Sequence, residues 1–149
     1  MKIEFLDSDG VTTIDELPKR VRAILGVPEE LLVDDVILSI DFLMQADSYV
    51  NNKIKEYEGL NESLIKIAYI YYICYLLCLG MYSRLPKQME NLSTKTVLQT
   101  IDWDSKALEC LEKSNELILD TINEVEEETM YNTAATLSDE TTYPNTVNM

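Results

Sequence analysis

Over the first 13 residues, MKIEFLDSDGVTT, apolar and polar positions keep no helical period, which predicts an extended, irregular start. The pattern then changes. Val21, Ile24 and Leu25 form an apolar stripe, Pro18 suits a first helical turn, and Gly26 suits the position just past a helix end. A helix from near Ile14 or Pro18 to Leu25 is predicted. After a short turn at Pro28-Glu29-Glu30, apolar residues return mostly at i, i+3 and i+4 from Val36 through Ile40, Leu43, Val50 and Ile54 to Tyr57. Asp41, Gln45, Asn51, Lys55 and Glu58 fill the other face. This spacing predicts one long amphipathic helix, capped by Asp34 or Asp35 and stopped by Gly59.

The next segment is different. IAYIYYICYLLCLGMY, residues 67–82, holds no charge. A helix from Asn61, with Asn61 or Ser63 as cap, to about Ser83 is predicted, with Leu85-Pro86 ending it. From Leu64 to Tyr82 it would measure roughly 28 Å, close to the roughly 30 Å of a bilayer's hydrocarbon. Composition argues against a span: Lys66 falls inside, and Tyr69, Tyr71, Tyr72 and Tyr75 crowd the middle, whereas tyrosine favours the membrane interface. A helix apolar on nearly every side lies at the centre of a bundle. One small chain covers one face readily and the rest with difficulty, so a neighbouring chain is expected, and Tyr69, Tyr72 and Leu76 are the candidate interface residues.

Residues 87–103, KQMENLSTKTVLQTIDW, are rich in β-branched side chains, which predicts a strand-prone loop. A lone strand makes no sheet, so this loop packs on the bundle or pairs with another chain. Trp103 reads either as a staple closing the loop or as an interface anchor. A last helix is predicted from about Asp104 to Glu127, capped by Asp104 or Ser105, with Leu108, Leu111, Leu117 or Ile118, Ile122 and Val125 as its buried stripe. Residues 129–149 contain no Lys or Arg and are dominated by threonine, asparagine and small residues. They are expected to be disordered alone and extended along a partner, with Tyr131, Leu137, Tyr143 and Val147 as anchors. The fold class is therefore all-α: a small helical bundle of residues 1–128, with two long helices and a third after the β-prone loop, and an extended tail over 129–149.

Charge narrows the function. The 149 residues carry 27 acidic and 12 basic side chains, a net −15, which argues against a broad phosphate-binding surface. The one basic cluster, Lys19, Arg20 and Arg22, reads as a solvated face. There is no histidine, so no Ser-His-Asp or Cys-His arrangement exists, and the four glycines are isolated, so no phosphate loop does. Cys74, Cys78 and Cys110 read as reduced core residues. The first two share a helix face, but a zinc site needs about four ligands. The acidic pairs Asp34-Asp35, Glu29-Glu30 and Asp102-x-Asp104 could hold a divalent cation, though such pairs arise by chance in a chain with 27 acidic residues, and helix capping explains Asp34-Asp35 better. No enzyme activity, metal or cofactor is expected. An acidic helical bundle that mimics DNA and inhibits a DNA-processing protein is one reading of this charge.

The layout carries a resemblance. RAILGVPEELLVDDVI leads into a long helix ending IKEYEGL; a tyrosine-bearing apolar helix, a loop opening at RLP, a capped helix and a tail follow. Over residues 14–128 this resembles the head–tail connector (adaptor) proteins of long-tailed bacteriophages. The resemblance implies a structural virion protein, made in the host cytoplasm and located at the neck. It implies a homo-oligomeric, twelve-fold ring between the portal protein and a stopper or tail-completion protein, with DNA passing through the lumen unbound. It places ring contacts on 34–57 and 61–83, the lumen or next ring at loop 87–103, and the portal grip on 129–149.

Overall fold

A computed structural model describes residues 1–88 and 101–141. The described chain is all-α, with a single isolated bridge between Leu6 and Thr12. Its helices are α1 (Leu17–Leu25), α2 (Asp34–Ile37), α3 (Ile40–Ile54), α4 (Glu62–Leu79), α5 (Met81–Gln88) and α6 (Trp103–Thr141).

The N-terminal segment is irregular, as its pattern predicts, yet it is built in. Asn51 of α3 accepts from the Ile3 amide at 2.9 Å and donates to the Ile3 carbonyl at 3.0 Å. That pairing holds Phe5 against Tyr69 of α4, ring centroids 4.2 Å apart and nearly parallel. In α1, Leu17, Val21 and Leu25 are buried, and Gly26 adopts the left-handed conformation (φ 67°) and donates to the Arg22 carbonyl at 2.8 Å. Such a φ favours glycine, which lacks the Cβ that would clash. Arg22 folds back to Asp34, 2.6 Å away, and to the Leu32 carbonyl at 3.1 Å, clasping α1 to α2. Asp34 and Asp35 lie in the first turn of α2, where Val33 is the cap residue.

The single helix predicted over 34–57 is broken. Ser39 takes ψ 126°, which separates α2 from α3. Packing explains the break. In one unbroken helix Ile37 and Leu43, six positions apart, would point to different faces; with the break both bury completely, at 0% and 1% exposure. The cost falls on Ile40, which the pattern placed inside, and on Met44; both are exposed.

Around α4 the other elements assemble. Asn61 caps it, its side chain accepting from the Ser63 and Leu64 amides. Ile65, Ala68, Tyr69, Ile70, Ile73, Cys74, Leu77 and Cys78 are buried, facing α1, α3 and α6 in turn. Small residues let α4 and α6 approach closely: Ser114 is fully buried and donates to the Ala68 carbonyl at 2.7 Å. The buried stripe of α6 is therefore Trp103, Ala107, Cys110, Ser114, Leu117, Ile118, Thr121 and Ile122, and Leu108, expected in it, is exposed.

Two further expectations change, and a third falls largely outside the described residues. Gly80 ends α4, and α5 then continues through Leu85-Pro86 to Gln88. Of the strand-prone stretch 87–103, residues 87–88 close α5, Ile101 and Asp102 are non-helical and Trp103 opens α6; its interior, 89–100, lies outside the described residues. The tail is not extended from residue 129: α6 runs to Thr141. Elongating an existing helix avoids the cost of nucleation. The Thr129 and Thr133 hydroxyls also donate to carbonyls one turn back, both at 2.9 Å.

Candidate assembly surface

Two features of this fold leave apolar surface uncovered. The first is a seam where α3, α4 and α6 meet. Tyr49 of α3 stacks on Tyr72 of α4 at 3.9 Å and 10°, and Tyr72 meets Tyr75 at 5.3 Å and 48°. The Tyr49 hydroxyl donates to Asn115 of α6, and Lys53 lies 5.1 Å from the centre of the Tyr49 ring. Burial raises the Tyr72 pKa, helped by Tyr75 and Tyr49. On α6, Leu108 and Leu119 share a helical face with Asn115 and are 59% and 55% exposed. On α4, half-buried Leu76 follows Tyr72 by one turn, and Leu79 is 56% exposed. An aromatic ladder, half inside, thus grades into aliphatic side chains in water.

The second feature is the overrun of α6. The last described side chain that packs on the core is Val125. Every described side chain from Glu126 to Ala135 is exposed, including Met130 and Tyr131. Beside its root is an open cleft of 590 Å³, with Tyr57, Val125 and Met130 as apolar lining and Glu56, Glu58 and Glu126 around them.

The residues singled out from sequence divide accordingly. Tyr69 and Trp103 are fully buried in their own chain. Burial raises the Tyr69 pKa, Asp47 adding to it, and its hydroxyl donates to the Leu43 carbonyl at 3.3 Å. As placed, neither residue offers surface to a partner. Tyr72 and Leu76 lie on the seam, and Tyr131 on the overrun. Leu137 falls within α6; Tyr143 and Val147 lie outside the described residues. Sequence reading missed Tyr49 and Leu119, whose i+3/i+4 spacing looks like core spacing, and Met130, which falls in the stretch expected to be an extended tail. Asp102, weighed with Asp104 as a cation pair, caps α6: it accepts from the Asp104 and Ser105 amides and from the Ser105 hydroxyl at 2.8 Å. That role had been given to Asp104 or Ser105.

One described helix, α4, is long and apolar enough to cross a membrane, and eight of its residues are buried by the rest of the chain. Comparison with protein-family models, curated proteins and solved structures returned no match. The fold and surface define a class only: a small acidic all-α protein with an uncovered aromatic–aliphatic seam and a projecting helix.

Proposed function

We propose that this is a non-enzymatic structural protein of a phage virion, a connector subunit that joins its copies into a ring between portal and tail. The observation that carries the reading is the overrun of α6. A helix with no core beneath it is marginal in water on its own, and it exposes Met130 and Tyr131; a neighbouring chain is the covering that such an element lacks. The seam from Tyr72 to Leu119 gives the same support on a second face, since tyrosine-rich surfaces suit protein interfaces. The net charge of −15 suits a channel through which DNA slides without sticking. In this reading α4 is a core helix and not a membrane span.

Native mass spectrometry and negative-stain imaging, with and without portal protein, test the proposal. Rings are expected, and deleting 126–149 is expected to abolish portal attachment while the truncated chain still melts cooperatively. A strictly monomeric chain that ignores portals and captures a nuclease or repressor would instead establish the DNA-mimic reading.

A further inference from the structure

No Lys or Arg follows Lys113 in this chain. The overrun of α6 therefore carries Glu126, Glu127 and Glu128 into solvent with no cation on its own stretch of helix to meet them. Glu127 and Glu128 stand one turn before Tyr131, so the three share a face. Tyr131 is 76% exposed. An aromatic ring beside two carboxylates fits a surface of opposite kind, an apolar floor edged by positive charge.

The molecule carries such a surface at its other end. A cleft of 320 Å³ opens where α1, α4 and α6 meet, lined by Ile24, Tyr71, Lys106, Glu109, Cys110 and Lys113. Half-buried Ile24 and Tyr71 give it an apolar wall. Lys106 pairs with Glu109 at 3.7 Å, and Lys113 with Glu116 at 3.6 Å. Surface pairs of that length are weak and exchange readily. Arg20, one turn before Ile24 on α1, is exposed and makes no ion pair among the described residues. The cleft at the root of the overrun is the opposite: Glu56, Glu58 and Glu126 surround it, so a further carboxylate there meets like charge.

One chain cannot bring the two surfaces together. On a single unbroken helix Tyr131 stands roughly 27 Å beyond Lys113. We infer that the occupant of the cleft is the α6 overrun of a second copy, with Tyr131 seated against Ile24 and Tyr71, and with Glu127 and Glu128 meeting Lys106, Lys113 and Arg20. This rests on the ring reading and names the surface that receives the neighbouring helix. Each copy holds one donor surface and one acceptor surface at different places. Repeating the contact head to tail therefore builds a ring when the rotation closes.

The full chain, with and without portal protein, is treated with a water-soluble carbodiimide, which joins a lysine to a carboxylate in contact with it. Peptides are identified by mass spectrometry, and assembly is followed by native mass spectrometry. A link from Lys106 or Lys113 to Glu127 or Glu128 is expected. Their spacing along one helix forbids that link within a chain, so it reports two copies. Lys106→Glu with Lys113→Glu, and separately Glu127→Lys with Glu128→Lys, should each abolish assembly. Mixing the two variants should restore it, because each overrun then meets a cleft of opposite charge. Tyr131→Ala, at a position exposed in the single chain, should leave melting unchanged and weaken assembly by about tenfold. Rings that survive both charge reversals, or links that join Lys106 and Lys113 to portal protein and to no second copy, overturn the inference and leave the ring reading standing. Closed dimers carrying the expected links keep the contact and end the ring reading. A chain that stays monomeric and unlinked throughout overturns both.

Discussion

Two halves of α6 share one backbone ladder and obey different physics. From Trp103 to Val125 the helix is held by tertiary contact, with Ser114, Leu117, Ile118, Thr121 and Ile122 buried. From Glu126 to Thr141, roughly 24 Å of helix, it keeps its ladder with no core under its described side chains. Three successive glutamates, Glu126 to Glu128, stand at the join. The difference teaches that a packed helix can seed an unpacked one. The first half supplies the costly nucleus; the second needs only propagation, which Ala134 and Ala135 favour.

This contrast can be broken by mutation. Trp103→Ala in the packed half should cost about 3–5 kcal/mol, read as a fall in the urea midpoint, whereas Met130→Ala should stay within about 0.5 kcal/mol. Equal costs would mean that the overrun is packed after all. Next in size is Ser114→Leu, which inserts bulk where Ser114 reaches Ala68; separating α4 from α6 should cost about 1–3 kcal/mol by equilibrium unfolding. Ala135→Gly sharpens the comparison from the other side. It should weaken the local helix by about 1 kcal/mol, seen as faster amide exchange after Val125, with the global melting temperature unmoved.

The smallest effect is expected at Asp102. Hydrogen bonds from Ser105 hold its carboxyl below the usual aspartate range. A depressed pKa means that the capped state is favoured above the unfolded-state value and loses that advantage as pH falls through the folded one. Acid titration should therefore fray the first turn of α6 before the body melts, and Asp102→Asn should remove that pH dependence.

Much of this fold was legible from periodicity. The start of α4 at Asn61, the end of α1 at Gly26 and the irregular first residues follow from caps and spacing that act within one turn. What was not legible depends on neighbours distant in sequence. The break at Ser39 exists because Ile37 and Leu43 both seek the same core. Leu108 yields its place to Ala107 and Cys110 because close approach to α4 rewards small side chains, and apolar spacing alone does not weigh size. Of the candidate surface, Tyr72 and Leu76 were legible as an excess of apolar residues on one helix. Leu108 and Leu119 were not, because an exposed leucine and a buried one have the same spacing. The helical course of residues 129–141 was hidden by a composition that favours disorder in isolation, where no preceding helix supplies the nucleus.

Trp103 is the only tryptophan among nine tyrosines. Its backbone amide donates to the Tyr82 hydroxyl at 3.1 Å, and among the described residues its buried indole nitrogen meets no acceptor. An indole in such surroundings emits at the blue end of its range and shifts to the red once water reaches it. Light absorbed by the tyrosines of α3 and α4 can pass to this single acceptor when the helices are docked and not when they part. The protein thus carries an optical gauge at the root of α6, able to follow the docking of that helix in real time without any attached dye.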